Sequence, residues 1–184
     1  FGCPAKTVNR HDGGASLLRT PARIHAAVAA VAEVGRSFGV SVNAKLRLGF
    51  DDKQLALACA QAAEAGGAEE LVVHARTRRE GYRPPAHWEW IARIRTVVSV
   101  PVVANGDIWS LEDYWKARSL SGCDDVMLGR GMLADPWLAR RIRHWQISGG
   151  ERLPATPWSA RSALLNRYAE AKQSAGMPEK VIVS

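Results

Sequence analysis

Cys3 is the first residue with chemistry to offer. It stands between Gly2 and Pro4, and polar residues then lead through Asn9 to Gly13-Gly14 and Ala15-Ser16-Leu17-Leu18. Proline locks its own φ and drives the preceding residue towards extended conformations, so the chain direction at the thiol is set. Gly2 removes a side chain beside the sulfur and leaves room for a flat molecule. On spacing alone, a structural cysteine in an ordinary loop fits equally well.

Further polar groups follow apolar runs. Lys45 and Arg47 lie in Val40–Leu48, and His74 and Arg76 close Leu71–Val73. Asn105-Gly106-Asp107 follows Val100–Ala104, and Gly129-Arg130-Gly131 follows Val126–Leu128. Lys45 and Arg47 are two residues apart and share a strand face, with no acid beside them in sequence. An anionic or carbonyl-rich ligand is expected to offset their desolvation. His74 reads as a second polar group for that ligand, or as a structural histidine. Asn105-Gly106 and Gly129-Arg130-Gly131 offer open backbone N–H groups, and Arg130 a guanidinium fork, which together suit a phosphate. A helix start after each loop would add positive potential. Asp107 would repel a phosphate, so its side chain is expected to serve the loop and its backbone the ligand. Plain glycine turns ending strands are the alternative.

The segment Arg76–Arg83 gathers Arg76, Arg78, Arg79, Tyr82 and Arg83. Arginines clustered around an aromatic suit nucleic acid, with guanidiniums on phosphates and Tyr82 against an extruded base. A solvated loop is the simpler alternative. Arg140, Arg141 and Arg143 could extend the footprint along a helix.

These groups need a scaffold. Thr20-Pro21 reads as N-cap and first residue of a helix to about Ser37. In Val40–Leu48, Val40, Val42, Ala44, Leu46 and Leu48 alternate with Ser41, Asn43, Lys45 and Arg47, the period of a strand. A helix from about Lys53 to Ala65, a strand Leu71–Ala75, a helix Trp88–Val97 and a strand Val100–Ala104 follow. Ser110 to Asp113 has a capping-box pattern and opens another helix. A strand Asp125–Leu128 precedes a helix capped by Asp135-Pro136 and reaching Ile147. Four strands alternating with helices predict a parallel sheet. Four units cannot close a barrel of eight. The expected fold is α/β, the C-terminal half of a TIM (β/α)8 barrel (its last four βα units) over residues 1–147, with a small open sheet as the alternative. In such a barrel active groups sit at the C-terminal strand ends, and the last two loops commonly hold phosphate. Residues 148–157 read as a linker, and 158–184 as the start of an all-α domain opening with a helix from Trp158 to Ser174.

Composition sets outer limits. The chain has 184 residues, 47% hydrophobic and 23% charged, which suits an ordinary globular protein rather than a disordered one. No apolar run approaches the roughly 18 residues that span a bilayer, so no membrane partner is expected. Three widely spaced cysteines argue for a reducing cytoplasm over a disulfide framework, with Cys59 and Cys123 as packing residues. No metal site is expected. A net charge of +7 points to an acidic partner, nucleic acid being the commonest.

The run Gly2-Cys3-Pro4-Ala5-Lys6-Thr7-Val8-Asn9, followed by Gly13-Gly14-Ala15-Ser16-Leu17-Leu18, resembles the active-site segment of the tRNA-dihydrouridine synthases. The likeness extends through the later blocks and spans essentially residues 1–184. These are flavin enzymes that reduce uridine in tRNA. The resemblance implies FMN held by Lys45, His74, Asn105, Gly106, Asp107, Gly129 and Arg130, with Arg47 and Tyr82 at the target uracil. It implies NADPH as reductant and Cys3 as the acid. Hydride would pass from reduced FMN to C6, and a proton from Cys3 to C5; a free thiol is mostly protonated at neutral pH. The run His74–Arg83 followed by His87-Trp88-Glu89-Trp90 is most similar to the bacterial C-type, which implies a D-loop uridine at about position 16. Residues 158–184 would then begin the tRNA-binding helical domain.

The resemblance places an upstream half before Phe1. The whole protein is expected to be monomeric, and this piece alone inactive, because half a barrel leaves strand edges unpaired. Two other readings share the pattern. A small-molecule FMN oxidoreductase of the dihydroorotate dehydrogenase type needs neither the arginine cluster nor the appended helices. A phosphate-binding barrel with a Lys45 Schiff base, or a non-catalytic RNA-binding barrel, would contain no flavin.

Overall fold

A computed structural model describes residues 1–154 and 156–176, and the chain divides into two compact units, Phe1–Arg130 and Gly131–Ser184. The boundary expected at 147–148 lies inside the second unit.

In the first unit, short apolar runs become the strands β1 (Asn43–Arg47), β2 (Glu70–His74), β3 (Val102–Asn105) and β4 (Val126–Met127). β1 is shorter than the alternating run, because Val40 lies 61% exposed ahead of the sheet. All pairings are parallel, in the order β1-β2-β3-β4. Crossovers of one hand between sequential neighbours put every connecting helix on the same face, whereas a doubly wound sheet must reverse. The arrangement is that of the C-terminal half of a TIM barrel.

The helices of that layer are α2 (Pro21–Ser37), α3 (Ala56–Ala65), α4 (Trp88–Arg95) and α5 (Leu111–Ser121). Strand residues of one parity, Ala44, Leu46, Leu71, Val73 and Ala104, are buried. In α3 the buried residues are Ala56, Cys59, Ala60 and Ala63, small enough for close helix approach. Burial pushes the Cys59 thiol up to about 11, in keeping with a packing role, and its Sγ contacts the Leu18 carbonyl at 3.3 Å.

Several local expectations are corrected. Residues Lys6–Arg10 form a short helix, α1, within the stretch read as polar loop, and Gly14–Arg19 form a 3-10 turn after Gly13. Thr20 makes no side-chain cap, so Pro21 opens α2 by its preset φ alone. α3 begins at Ala56 rather than Lys53, whose ammonium reaches Glu80 at 2.6 Å instead. The Ser110 cap is present, its Oγ accepting from the Asp113 N–H at 3.1 Å.

The second unit contains α6 (Gly131–Ala134), α7 (Leu138–Ile147) and α8 (Trp158–Ser174). The helix expected from Asp135 starts at Leu138. Asp135 accepts from the Trp137 N–H at 3.2 Å and pairs with Arg141, which removes that arginine from an RNA footprint. Among the described residues no helix is long and apolar enough to cross a membrane. Residues 177–184 of the expected helical domain lie outside the described residues.

Candidate active site

The segment carrying Cys3 lies alongside β1. The Phe1 nitrogen donates to the Lys45 carbonyl at 2.7 Å, and Arg47 Nε donates to the Gly2 carbonyl at 2.8 Å. The Cys3 carbonyl accepts from Asn9 Nδ2 at 2.8 Å and from the Ala15 N–H at 3.0 Å. Asn9 Nδ2 also reaches the Ala5 carbonyl at 2.9 Å, which closes the loop. Gly14, at φ +59°, passes so near that a Cβ there would stand 2.8 Å from the Cys3 carbonyl oxygen. The backbone of Cys3 is held on two sides while its residue stays exposed, unlike buried Cys59 and Cys123.

Parallel register lines up the strand ends. Arg47 sits beside His74, His74 beside Asn105, and Asn105 beside Met127, so these side chains share the face opposite the helices. Lys45 lies two residues earlier on that face and donates from Nζ to Asn105 Oδ1 at 3.1 Å. Asn105 Nδ2 donates to the Met127 carbonyl at 2.7 Å, which orients the amide. Lys45 is exposed as a residue, yet desolvation and the nearby Arg47 charge lower its ammonium pKa. Burial, then the charges of Arg47, Lys45 and Arg76, hold the His74 pKa down to about 3, with Asp107 opposing. His74 is thus neutral at physiological pH, a hydrogen-bonding group rather than a cation.

Arg47 departs from expectation. Its carbonyl-rich partner is the protein itself: besides Gly2, its guanidinium donates to Thr77 at 3.1 Å and Gly81 at 2.9 Å, and the residue is buried. Tyr82 remains half open above this cluster, 53% exposed, 5.9 Å from the His74 ring and 5.3 Å from the Arg47 guanidinium.

The arginine cluster separates into different roles. Arg76 is fully buried and forms a two-pronged pair with Asp107, so it cannot meet an RNA phosphate, contrary to expectation. Arg78 lies 4.9 Å over the Phe50 ring. Arg79 and Arg83 are exposed, with Arg83 leaning on the Arg79 carbonyl at 3.1 Å. Glu80, which sequence reasoning assigned no role, braces the loop. It accepts from Lys53 at 2.6 Å and from the Thr77 N–H at 2.6 Å, while its own N–H donates to Thr77 Oγ1 at 3.1 Å. Burial pushes its carboxyl up, but Lys53 and Thr77 outweigh that and hold it at about 2. Thr77-Arg78-Arg79-Glu80 has the spacing of a capping box, a signal that was available.

At the next loops, Gly106 adopts φ +122°, and a Cβ there would stand 3.0 Å from His74 Cδ2. The Gly106 carbonyl accepts from Trp88 Nε1 at 2.9 Å, a second contribution sequence reasoning missed. The Asp107 side chain serves the loop, bonding Arg76 and lying 3.6 Å from Arg130. Gly129 faces open space. Arg130 lies 4.7 Å from the Tyr82 ring centre and 5.0 Å from that of Trp109. The positive end of α5 is already offset by Glu112, Asp113 and its own cap.

An exposed cysteine on a held segment, joined through Arg47 to a row of neutral and cationic side chains at the strand ends, marks a candidate active site on a sheet ordered as in half of a TIM barrel. The sequence profile of the dihydrouridine synthase (Dus) family matches residues 1–180, and the chain belongs to that family. It is 59% identical over 143 residues to the tRNA-dihydrouridine(16) synthase of Ralstonia nicotianae, covering 78% of this chain and 44% of that protein. It is 52% identical over 167 residues to the tRNA-dihydrouridine(16) synthase of Aquipseudomonas alcaligenes, covering 90% and 51%. With the protein of that name from Pseudomonas syringae pv. tomato it shares 50% identity over 171 residues, covering 93% and 53%. The chain spans about half the length of the curated relatives it matches.

Proposed function

We propose that this chain forms half of an enzyme that reduces uridine to 5,6-dihydrouridine in tRNA. The target is the D-loop uridine at position 16, the position carried in the relatives' names. FMN suits the residues present. Gly129 opens onto free space for a phosphate, with Arg130 beside it, while Lys45, Asn105 and neutral His74 offer donors to the ring's carbonyl edge. When bound and reduced by NADPH, FMN supplies the hydride for uracil C6.

The chain's own residues carry the rest. Cys3 donates its thiol proton to C5, so hydride and proton together saturate the C5–C6 bond, and the thiolate regains its proton from solvent. Arg47 holds the Cys3 segment against the loop of Tyr82, and Tyr82 offers an open ring to the extruded base. Exposed Arg79 and Arg83 meet phosphates, and α8 opens the helical tRNA-binding domain. The reaction belongs to the cytoplasm, where unpaired cysteines stay reduced.

The observation that supports this reading best is the Arg47 bridge, which joins the Cys3 segment to the aromatic loop from a strand position in register with His74 and Asn105. The test is Cys3→Ala in the whole protein. Dihydrouridine formation is expected to fall at least about a hundredfold while NADPH still reduces the flavin at the wild-type rate. Product at the normal rate would remove Cys3 from the acid role.

A further inference from the structure

Beside the strand ends, an open groove of about 650 Å³ runs between the Tyr82–Ala86 loop and one side of α5. Tyr82 and Trp109, residues that are 53% and 40% exposed, line it. Its two carboxylates are engaged elsewhere. Asp113 accepts from the Trp109 N–H at 3.0 Å and from Ser110 Oγ at 3.1 Å, and Asp107 holds Arg76 and Arg130. Lys116, on the groove wall, is exposed and has no acidic partner among the described residues. The groove therefore offers exposed aromatic residues and the Lys116 ammonium together, while Asp107 is countered by Arg76 and Asp113 is held by hydrogen bonds at the start of α5.

We propose that this groove is a second nucleotide subsite, taking an unpaired nucleotide of the RNA next to the one that reacts. The base stacks on Trp109, and its phosphate meets Lys116. An unpaired nucleotide carries a flat π-face and an anion at a set separation, which is the complement of this lining. A duplex presents no base face, and an acidic peptide would leave the rings unused. The groove shares Tyr82 and Arg130 with the candidate active site, so its occupant is a neighbour of the reacting base. The net charge of +7 suits a polyanion. This rests on RNA being the substrate.

The experiment uses Trp109→Ala, Trp109→Phe and Lys116→Ala in the whole, flavin-loaded protein, with tRNA and NADPH varied separately. For Trp109→Ala, the tRNA KM is expected to rise roughly tenfold, the loss of one base stack. Its kcat, flavin content and NADPH KM stay within about twofold. Trp109→Phe recovers most of the tRNA affinity. Lys116→Ala lowers the salt slope of tRNA binding by about one. An unchanged tRNA KM in Trp109→Ala overturns the proposal, as does equal impairment of the alanine and phenylalanine variants. A rise in NADPH KM instead also overturns it, because the groove would then hold the reductant's adenosine. If the wild-type protein made no dihydrouridine, the functional reading would fall, while tRNA binding by the same variants would still decide the subsite.

Discussion

Arg47 donates through Nε to the carbonyl of Gly2 at 2.8 Å, so one buried cation grips the residue next to Cys3. Its Nη1 serves Thr77 and Gly81 at 3.1 and 2.9 Å on the loop that carries Tyr82. Arg47→Ala leaves three carbonyls without this partner. Charge-assisted hydrogen bonds contribute about 1.5–3 kcal/mol each, so a stability loss of about 3 kcal/mol or more is expected. Arg47→Lys keeps the charge but not the fork and should lose less. Denaturant titration reads both, and an unchanged midpoint in Arg47→Ala would show that the bridge contributes nothing.

Asn9 acts on the thiol at one remove. Its Nδ2 spans the Cys3 and Ala5 carbonyls, so Asn9→Ala frees the backbone on one side of the thiol. Single-turnover product formation is expected to slow at least about tenfold through misplacement, with flavin content unchanged. Asn9→Asp sets a carboxylate against two carbonyls and should be slower still. Wild-type rates in both variants would show that the bridge does not position Cys3.

Arg76 and Asp107 form a pair whose arginine is fully buried. Removing one partner of such a pair strands the other, at about 3–5 kcal/mol. Asp107→Ala is expected to lose that much by thermal or chemical unfolding. The same burial predicts that Arg76 leaves the salt dependence of tRNA binding alone. Arg79→Ala should lower the slope by about one. A slope unchanged by Arg79→Ala would take that arginine out of the RNA contact.

His74 makes stability depend on pH. The unfolded imidazole takes up a proton below its ordinary 6.5, while the folded one resists down to about 3. Its contribution is full above about 6.5 and is lost as pH falls from there towards 3, by up to about 1.4 kcal/mol per pH unit. Unfolding midpoints measured across that window should slope for the wild type and flatten in His74→Gln. Parallel curves would show that His74 titrates normally when folded.

Much of the scaffold was legible because its signals are local. The alternation through Ala44, Lys45, Leu46 and Arg47 sorts residues between the helix-covered face and the opposite face. Thr77 and Glu80 also advertise their mutual bonds by spacing alone. Arg76 and Arg79, by contrast, look alike in sequence. One is buried against Asp107, thirty-one residues away, and the other is exposed.

The sequence by itself determined the βα rhythm, the polar strand ends, the family likeness and the suspicion that Cys3 matters. Only the tertiary structure decided that Arg47 is engaged by protein carbonyls, that Arg76 is neutralised by Asp107, and that Tyr82, Trp109 and Arg130 meet in one groove. The reason is physical. Periodicity follows from backbone geometry, which each residue carries with it. Whether a charge is free or engaged depends on which distant strand end the parallel register sets beside it.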